Sequence, residues 1–354
     1  MPADTRFKIS RPTFLVDNRE EGELSNRLLS MTVAEDTAGL FRCETVFGNW
    51  GEKDGKSDFI FFDRQKLDFG KAFKVKLGDD TLFIGRIMAL EGRFASARPP
   101  ELVVLAEDRF QDLRMTRRTR TFEEVSDSDL FNQVASDHGL QPQIDVSGPT
   151  HKVLAQVNQS DLAFIRDRAR AVDAELWMDD STLHVQARGN RNGGTIQIGY
   201  GNQLREFNVL ADLAHQRTSV TVSGWDVSGK QGIKHEAPSS IMSSELGGDT
   251  DGASILSSKF ADRKEQIAHS VPITASEAQA RAEAIYKMGA RRFVTGFGVA
   301  ETNPKMRVGT FLDLQGLGPL FSGKYYLSDV KHLFDGKNGL RTEFVGERPG
   351  LGQP

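Results

Sequence analysis

A single cysteine, Cys43, in 354 residues leaves no intramolecular disulfide to form and no thiolate set for a zinc or iron–sulfur site. No apolar run approaches the about 20 residues of a membrane-spanning helix, and Met1–Ser10 has no apolar core of signal-peptide length. Neither sign of charge dominates: 45 Lys and Arg face 49 Asp and Glu, a net of −4. Bulk electrostatics therefore exclude a dedicated nucleic-acid or membrane-surface binder. Tyrosine (4) and tryptophan (3) are scarce beside 23 phenylalanines, a balance that suits several modest cores better than a wet aromatic binding face. Hydrophobic residues at 38% with 34 glycines exclude general disorder. The expectation is a soluble chain made in the cytosol. At roughly 150 residues per domain, its length corresponds to two or three domains.

Chemical motifs are also missing. There is no phosphate loop, and no serine, Ser25 included, sits in a Gly-x-Ser-x-Gly elbow. Gly296-Phe297-Gly298 and Gly316-Leu317-Gly318 lack the third glycine of a dinucleotide fingerprint and read as turn residues. The seven histidines, at 138, 151, 184, 215, 235, 269 and 332, never take the spacing that puts two ligands on one helical face, so each reads as a surface or satisfied core residue. Asp249-Thr250-Asp251-Gly252 starts like a calcium loop but has Ser258 where the bidentate glutamate belongs. Asp127, Asp129, Asp161, Asp173, Asp179 and Asp180 include no motif beyond helix starts and a turn. Neither catalytic residues nor a metal or cofactor are expected.

The chain alternates between two textures. Phe7–Val16, Leu28–Ala34, Leu40–Phe47 and Leu102–Ala106 read as strands, and Phe73, Val75 and Leu77 alternate with Lys74 and Lys76 before a turn at Gly78-Asp79-Asp80 and a return strand Leu82–Leu90. Ser126 then caps a helix to His138 with Gly139 as its stop, and Ser160 opens a second helix with Leu162, Phe164, Ile165, Ala169 and Val172 spaced for burial. Glu175–Met178 and Thr182–Val185 form a hairpin around Asp179-Asp180-Ser181. Strand patterning returns at Thr195–Ile198, Phe207–Leu210 and Ser219–Val227. Residues 228–258, rich in Gly and Ser, read as a long loop, and Thr274-Ala275-Ser276-Glu277 boxes the start of an Ala-rich helix over 275–290. The division is 1–119, a β-domain; 120–188, a small α/β module; and 189–354, a second β-domain.

An internal repeat links the two β-domains. Phe69-Gly70 leads through Phe73, Val75 and Leu77 to Leu82-Phe83-Ile84-Gly85-Arg86, and Val308-Gly309 leads through Phe311, Leu312 and Leu314 to Leu320-Phe321-Ser322-Gly323-Lys324. Gly70 to Gly85 is 15 residues and Gly309 to Gly323 is 14. A duplicated β-domain with inserted α/β material accounts for it. Phe83, Gly85, Arg86, Phe321, Gly323 and Lys324 are the candidate assembly residues of the repeat. Arg117 and Arg118 join them from a basic cluster completed by Arg114 and Arg120, read as solvated or as making ion pairs between subunits.

Three stretches together resemble the phage late control D family, the baseplate hubs of contractile tails, similar to the hub part of VgrG. They are Leu82–Ile87 through Leu113, Thr121-Phe122 and Asp129-Leu130-Phe131 to His138-Gly139-Leu140; Gln159-Ser160-Asp161-Leu162-Ala163-Phe164-Ile165-Arg166 continuing to Ala174-Glu175-Leu176-Trp177 and Leu183; and Phe321–Leu327 to His332 with Arg341-Thr342-Glu343-Phe344. The resemblance implies an α+β, β-rich chain with two similar β-barrel tube domains and the α/β module attached. It implies a homotrimer joining a six-fold inner tube to a three-fold spike in a phage tail, a tailocin or a related injection system. The chain reaches Pro354 with no OB-like or β-helical segment, so the implied spike is a separate polypeptide. Other baseplate proteins and a tape-measure end are further implied partners in an assembled particle, with no membrane insertion and no specific nucleic-acid binding. A cell-wall hydrolase using Asp161 and Glu175, and a glycan- or DNA-binding module on Arg114–Arg120, are the alternatives.

Overall fold

The computed structural model describes residues 11–37, 41–227, 229–269 and 272–353. They fall into two compact units: one runs to Gln111 and includes Val299–Arg307 and Asp329–Glu343, and the other holds Asp112–Gly298, Val308–Ser328 and the stretch from Phe344. The protein is β-rich α+β.

The first unit is built on β1 (Thr13–Val16), β2 (Leu28–Asp36), β3 (Arg42–Gly48), β4 (Ala72–Leu77), β5 (Asp80–Arg93) and β6 (Glu101–Glu107). Phe7–Ser10 and Leu40, expected in the first and third strands, lie outside the described residues. The six strands lie side by side in the order β2–β3–β6–β5–β4–β1, every pair antiparallel. The alternation at Phe73 and Val75 puts both in the core with Phe14, Phe47 and Phe83, where Phe14 meets Phe47 edge to face with ring centres 5.3 Å apart. On the other side of β2, the segment Asp329–Asp335 pairs with Ser30–Asp36. His332 in that segment is a satisfied core histidine: its Nε2–H donates to the Met306 carbonyl at 3.0 Å and Nδ1 accepts from Thr342 at 2.9 Å. Burial pushes its pKa down to about 4, so the ring is neutral.

A second set of strands repeats the arrangement with β7 (Thr195–Gly199), β8 (Leu204–Ala211), β9 (Val294–Ala300), β10 (Phe311–Gln315), β11 (Gly323–Asp335) and β12 (Gly339–Arg348). Their order is β8–β9–β12–β11–β10–β7, the first order shifted by six. One pairing differs in direction: β1 runs antiparallel to β4, whereas β7 runs parallel to β10. Among the described residues neither set of strands closes into a barrel.

The hairpin repeat is present in the backbone, but its two sequence motifs are offset by two residues and its second loop is one residue longer. The Gly70 N–H donates to the Ile87 carbonyl (2.8 Å) and the Ile87 N–H to Lys71 (3.0 Å); the Gly309 N–H donates to Leu327 (3.1 Å) and the Leu327 N–H to Thr310 (2.9 Å). Both glycines hold a positive φ, +78° and +92°, which a side chain would strain. Gly70 thus corresponds to Gly309 and Ile87 to Leu327. The Leu-Phe-x-Gly-basic motifs do not correspond, because Gly85 stands opposite Phe73 while Gly323 stands opposite Leu314. The second loop takes a helical turn at Gly318–Phe321 and absorbs the additional residue.

Between these strands lie α1 (Asp127–Asp137) and α2 (Asp161–Ala171), capped by Ser126 and Ser160 as their sequences require, and the hairpin Ala174–Asp179/Thr182–Ala187. α3 (Ala275–Ala290), capped by Thr274, packs Ala278, Ala282 and Tyr286 on a sheet of Ser219–Asp226, Gln231–Pro238 and Lys264–Ile267. Two expectations need correction. The described part of 228–258 is not a long loop: Gln231–Pro238 is a strand that buries Ile233 and Ala237, and Asp251 caps a helix at Gly252–Phe260 by accepting from the Ser254 N–H. Gly296 and Gly298 are not turn residues but lie within β9, where a Cβ would fall 2.2 Å from the Phe207 ring and 2.3 Å from the Phe344 ring. Gly316 and Gly318 do serve turns, with φ of +82° and +75°.

Candidate functional site

The polar residues singled out by sequence converge in the second unit as buried ionic clusters. Asp161, the first residue of α2 and 1% exposed, accepts from Arg120 at 2.8 Å, Gln156 at 2.9 Å and Arg118 at 3.2 Å, and pairs with His138 Nε2 at 2.8 Å. Burial opposes its ionisation, but the bonds from His138 and Gln156 and the arginine charges hold its carboxyl below the usual carboxylate range. Within the basic cluster Arg118 and Arg120 pair with Asp161, and the exposed Arg117 donates to the Asn158 carbonyl at 2.9 Å.

A second cluster ties α1, α2 and α3 to the strand Thr150–Ser160. Arg168 grips both oxygens of Asp127 at 2.7 and 2.9 Å, and His151 sits between Asp127 (3.0 Å) and Glu277 (2.6 Å). Burial works against charging His151, yet its bonds to Asp127 and Glu277 prevail and its pKa is raised. Glu277, in the first turn of α3, also accepts the Ile273 N–H at 2.8 Å, so one carboxylate both fixes the residue before the cap and docks the helix. Sequence reasoning found the caps but not their pairing, since partners up to 126 residues apart leave no local signal.

The third cluster holds the other candidate acid. Glu175, 8% exposed, accepts from Arg191 at 2.8 Å and from the Tyr326 hydroxyl, while Arg188 binds Glu347 at 2.6 Å. Arg291 binds Asp173 and Glu245 together, bonds that outweigh its burial and raise its pKa. Arg188, Arg291, Arg348 and Lys324 line a cavity of about 660 Å³. Asp249 is engaged by Arg348 at 2.7 Å and Asp251 by its helix, which accounts for the calcium-like string. Among the described residues no three His, Cys, Asp or Glu side chains are placed to hold a metal. Chemically, these clusters orient elements, with Asp161 and Glu175 each held by arginines.

The assembly candidates divide. Phe83 is fully buried, and a Cβ on Gly85 would meet the Glu107 carbonyl oxygen at 2.3 Å, so both are core residues that offer a partner no surface. Arg86, Arg117 and Lys324 are exposed, Phe321 and Gly323 half-buried.

The same architecture occurs in solved tail proteins. The 43 kDa tail protein of prophage MuSo2 from Shewanella oneidensis is 11% identical, with a TM-score of 0.70 over 96% of this chain and 98% of that one. A tail protein of Neisseria meningitidis gives 11%, 0.66 and 97% of both chains. The E. coli c3393 protein, described as a component of the type VI secretion system with structural similarity to bacteriophage T4 tail proteins gp27 and gp5, gives 12% and 0.54 over 93% of this chain and 76% of that one. At such identities the likeness establishes a shared fold, the one anticipated from the hub resemblance. No curated protein sequence matches the chain. A family model described as the Alg8 N-terminal domain matches residues 50–335, well over half of the sequence. The chain therefore belongs to the Alg8 N-terminal domain family.

Proposed function

We propose that this chain is the structural hub of a contractile injection machine, acting as a trimer that adapts a six-fold inner tube to a three-fold spike. The observation that carries this reading is the strand order repeated at an interval of six strands within one chain. Three copies of a chain with two equivalent sheets present six similar surfaces around an axis, and a ring closes only when each step matches the next. The domain division at 1–119, 120–188 and 189–354, closure of the sheets into tube barrels around a channel, and contacts with other baseplate proteins or a tape-measure end belong to the same proposal. The ionic clusters around Asp161 and Glu175 favour it over a cell-wall hydrolase, because each carboxylate is already engaged by two arginines.

Native mass tests the trimer. At micromolar concentration, alone or with a tube or spike protein, the chain of 39.2 kDa should give a species of three copies, about 118 kDa. A strict monomer in all three mixtures would sink the hub reading.

A further inference from the structure

The internal repeat has one unmatched pairing. In the second sheet β11 outruns β10 after Leu327, and on that edge Asp329–Asp335 takes β2 as its new partner, from Asp329 opposite Asp36 to Asp335 opposite Ser30. β5 outruns β4 in the same way, since its contacts on that edge end with Gly70 and Lys71 at Ile87. Among the described residues no strand takes the edge of Met88–Arg93.

Burial follows the same division. The correspondence of Ile87 with Leu327 places Leu90 on Val330, Gly92 on His332 and Phe94 on Phe334. Val330 and His332 are 1% exposed and Phe334 4%, whereas Phe94 is 67% exposed. The counterpart of β2 is β8, and both open on a buried leucine, Leu28 and Leu204. Beyond a bridge from Leu204 to Tyr200, β8 also has one edge without a strand among the described residues, and its Leu210 is 61% exposed. An open edge and an exposed aromatic are unfavourable alone and resolved by strand addition.

We infer that Ala89–Phe94 of one copy pairs antiparallel with β8 of a second copy, in the register that β11 takes on β2. Glu91 then stands opposite Leu210, and Phe94 opposite Phe207. Each copy offers one edge of each kind, so the contact is head-to-tail; that it closes as a ring of three copies and not as a filament rests on the hub reading above.

The double variant Glu91→Cys/Leu210→Cys tests the register, because the native Cys43 is buried. Mild oxidation of the assembled protein should give covalent species up to three times 39.2 kDa on a non-reducing gel, while either single variant stays at one chain. Phe94→Ser, which within its own chain removes only ring contacts with Phe59 and Phe62, should lower the trimer fraction at least tenfold at equal concentration, while the melting temperature of the dilute monomer falls by no more than about 4–8 °C. A native trimer that neither links through this pair nor weakens with Phe94→Ser would overturn the inference and leave the hub standing. A parent chain that is monomeric with and without its tube and spike partners would overturn both.

Discussion

Replacing Arg168 by Met is expected to cost the second unit about 3–5 kcal/mol, the range for removing one partner of a buried ion pair. Asp127 is fully buried and receives two bonds from Arg168, at 2.7 and 2.9 Å. Met fills much of the volume of the arginine stem, so packing is largely kept and the loss reports the stranded carboxylate. For a unit of this size the melting temperature should fall by roughly 6–20 °C, readable by circular dichroism or calorimetry. A change below about 1 kcal/mol would mean that Asp127 is adequately solvated or held by His151 alone. The cluster also sets a pH dependence whose sign follows from His151. Its pKa is raised in the folded state, so its contribution is fully present below the unfolded value of 6.5 and is lost as pH rises through the folded value. Stability should decline over that window, and His151→Gln should flatten the slope.

Gly85→Ala is expected to destabilise the first unit by about 3 kcal/mol, combining an overpacked core with a lost ladder bond. The added methyl would sit 2.3 Å from the Glu107 carbonyl oxygen and 2.5 Å from the Phe83 ring. The ring can rotate; the carbonyl belongs to the β5–β6 ladder and cannot move without breaking it. Phe83→Leu should therefore fail to rescue Gly85→Ala, the two costs adding in a double-mutant cycle. Recovery of most of the stability in the double variant would instead identify the ring as the obstacle.

The elements legible in the sequence are those whose signals are local. Ser126, Ser160 and Thr274 each accept a backbone N–H three residues on, and all three helices start where those caps stand. Alternation gave β4 and the turn at Gly78, with φ of +61°, gave its return. The failures have a common cause in long-range context. Gly296 and Gly298 are glycines because Phe207 and Phe344 cross above them, which no neighbouring residue announces. The segment 231–260 looked like a loop from its Gly and Ser content, but burial of Ile233, Ala237 and Met242 decides its structure. The hairpin repeat was visible, yet matching glycine to glycine aligned Gly85 with Gly323, and only the backbone bonds at Gly70 and Gly309 reveal the slip. The clusters around Asp127, Asp161 and Glu175 are illegible for the same reason: the acids stand out in the sequence, whereas partners such as Gln156, Arg168 and Arg191 carry no local signal.

The central claim is that three copies, each with two equivalent sheets, form one adapter ring. Averaged end-on electron-microscope images of the purified oligomer test it most directly. The account expects six similar densities around a channel at one end, with only three-fold symmetry in the outlying α/β modules. A ring with any other number of densities, or a particle with no axis at all, would contradict it.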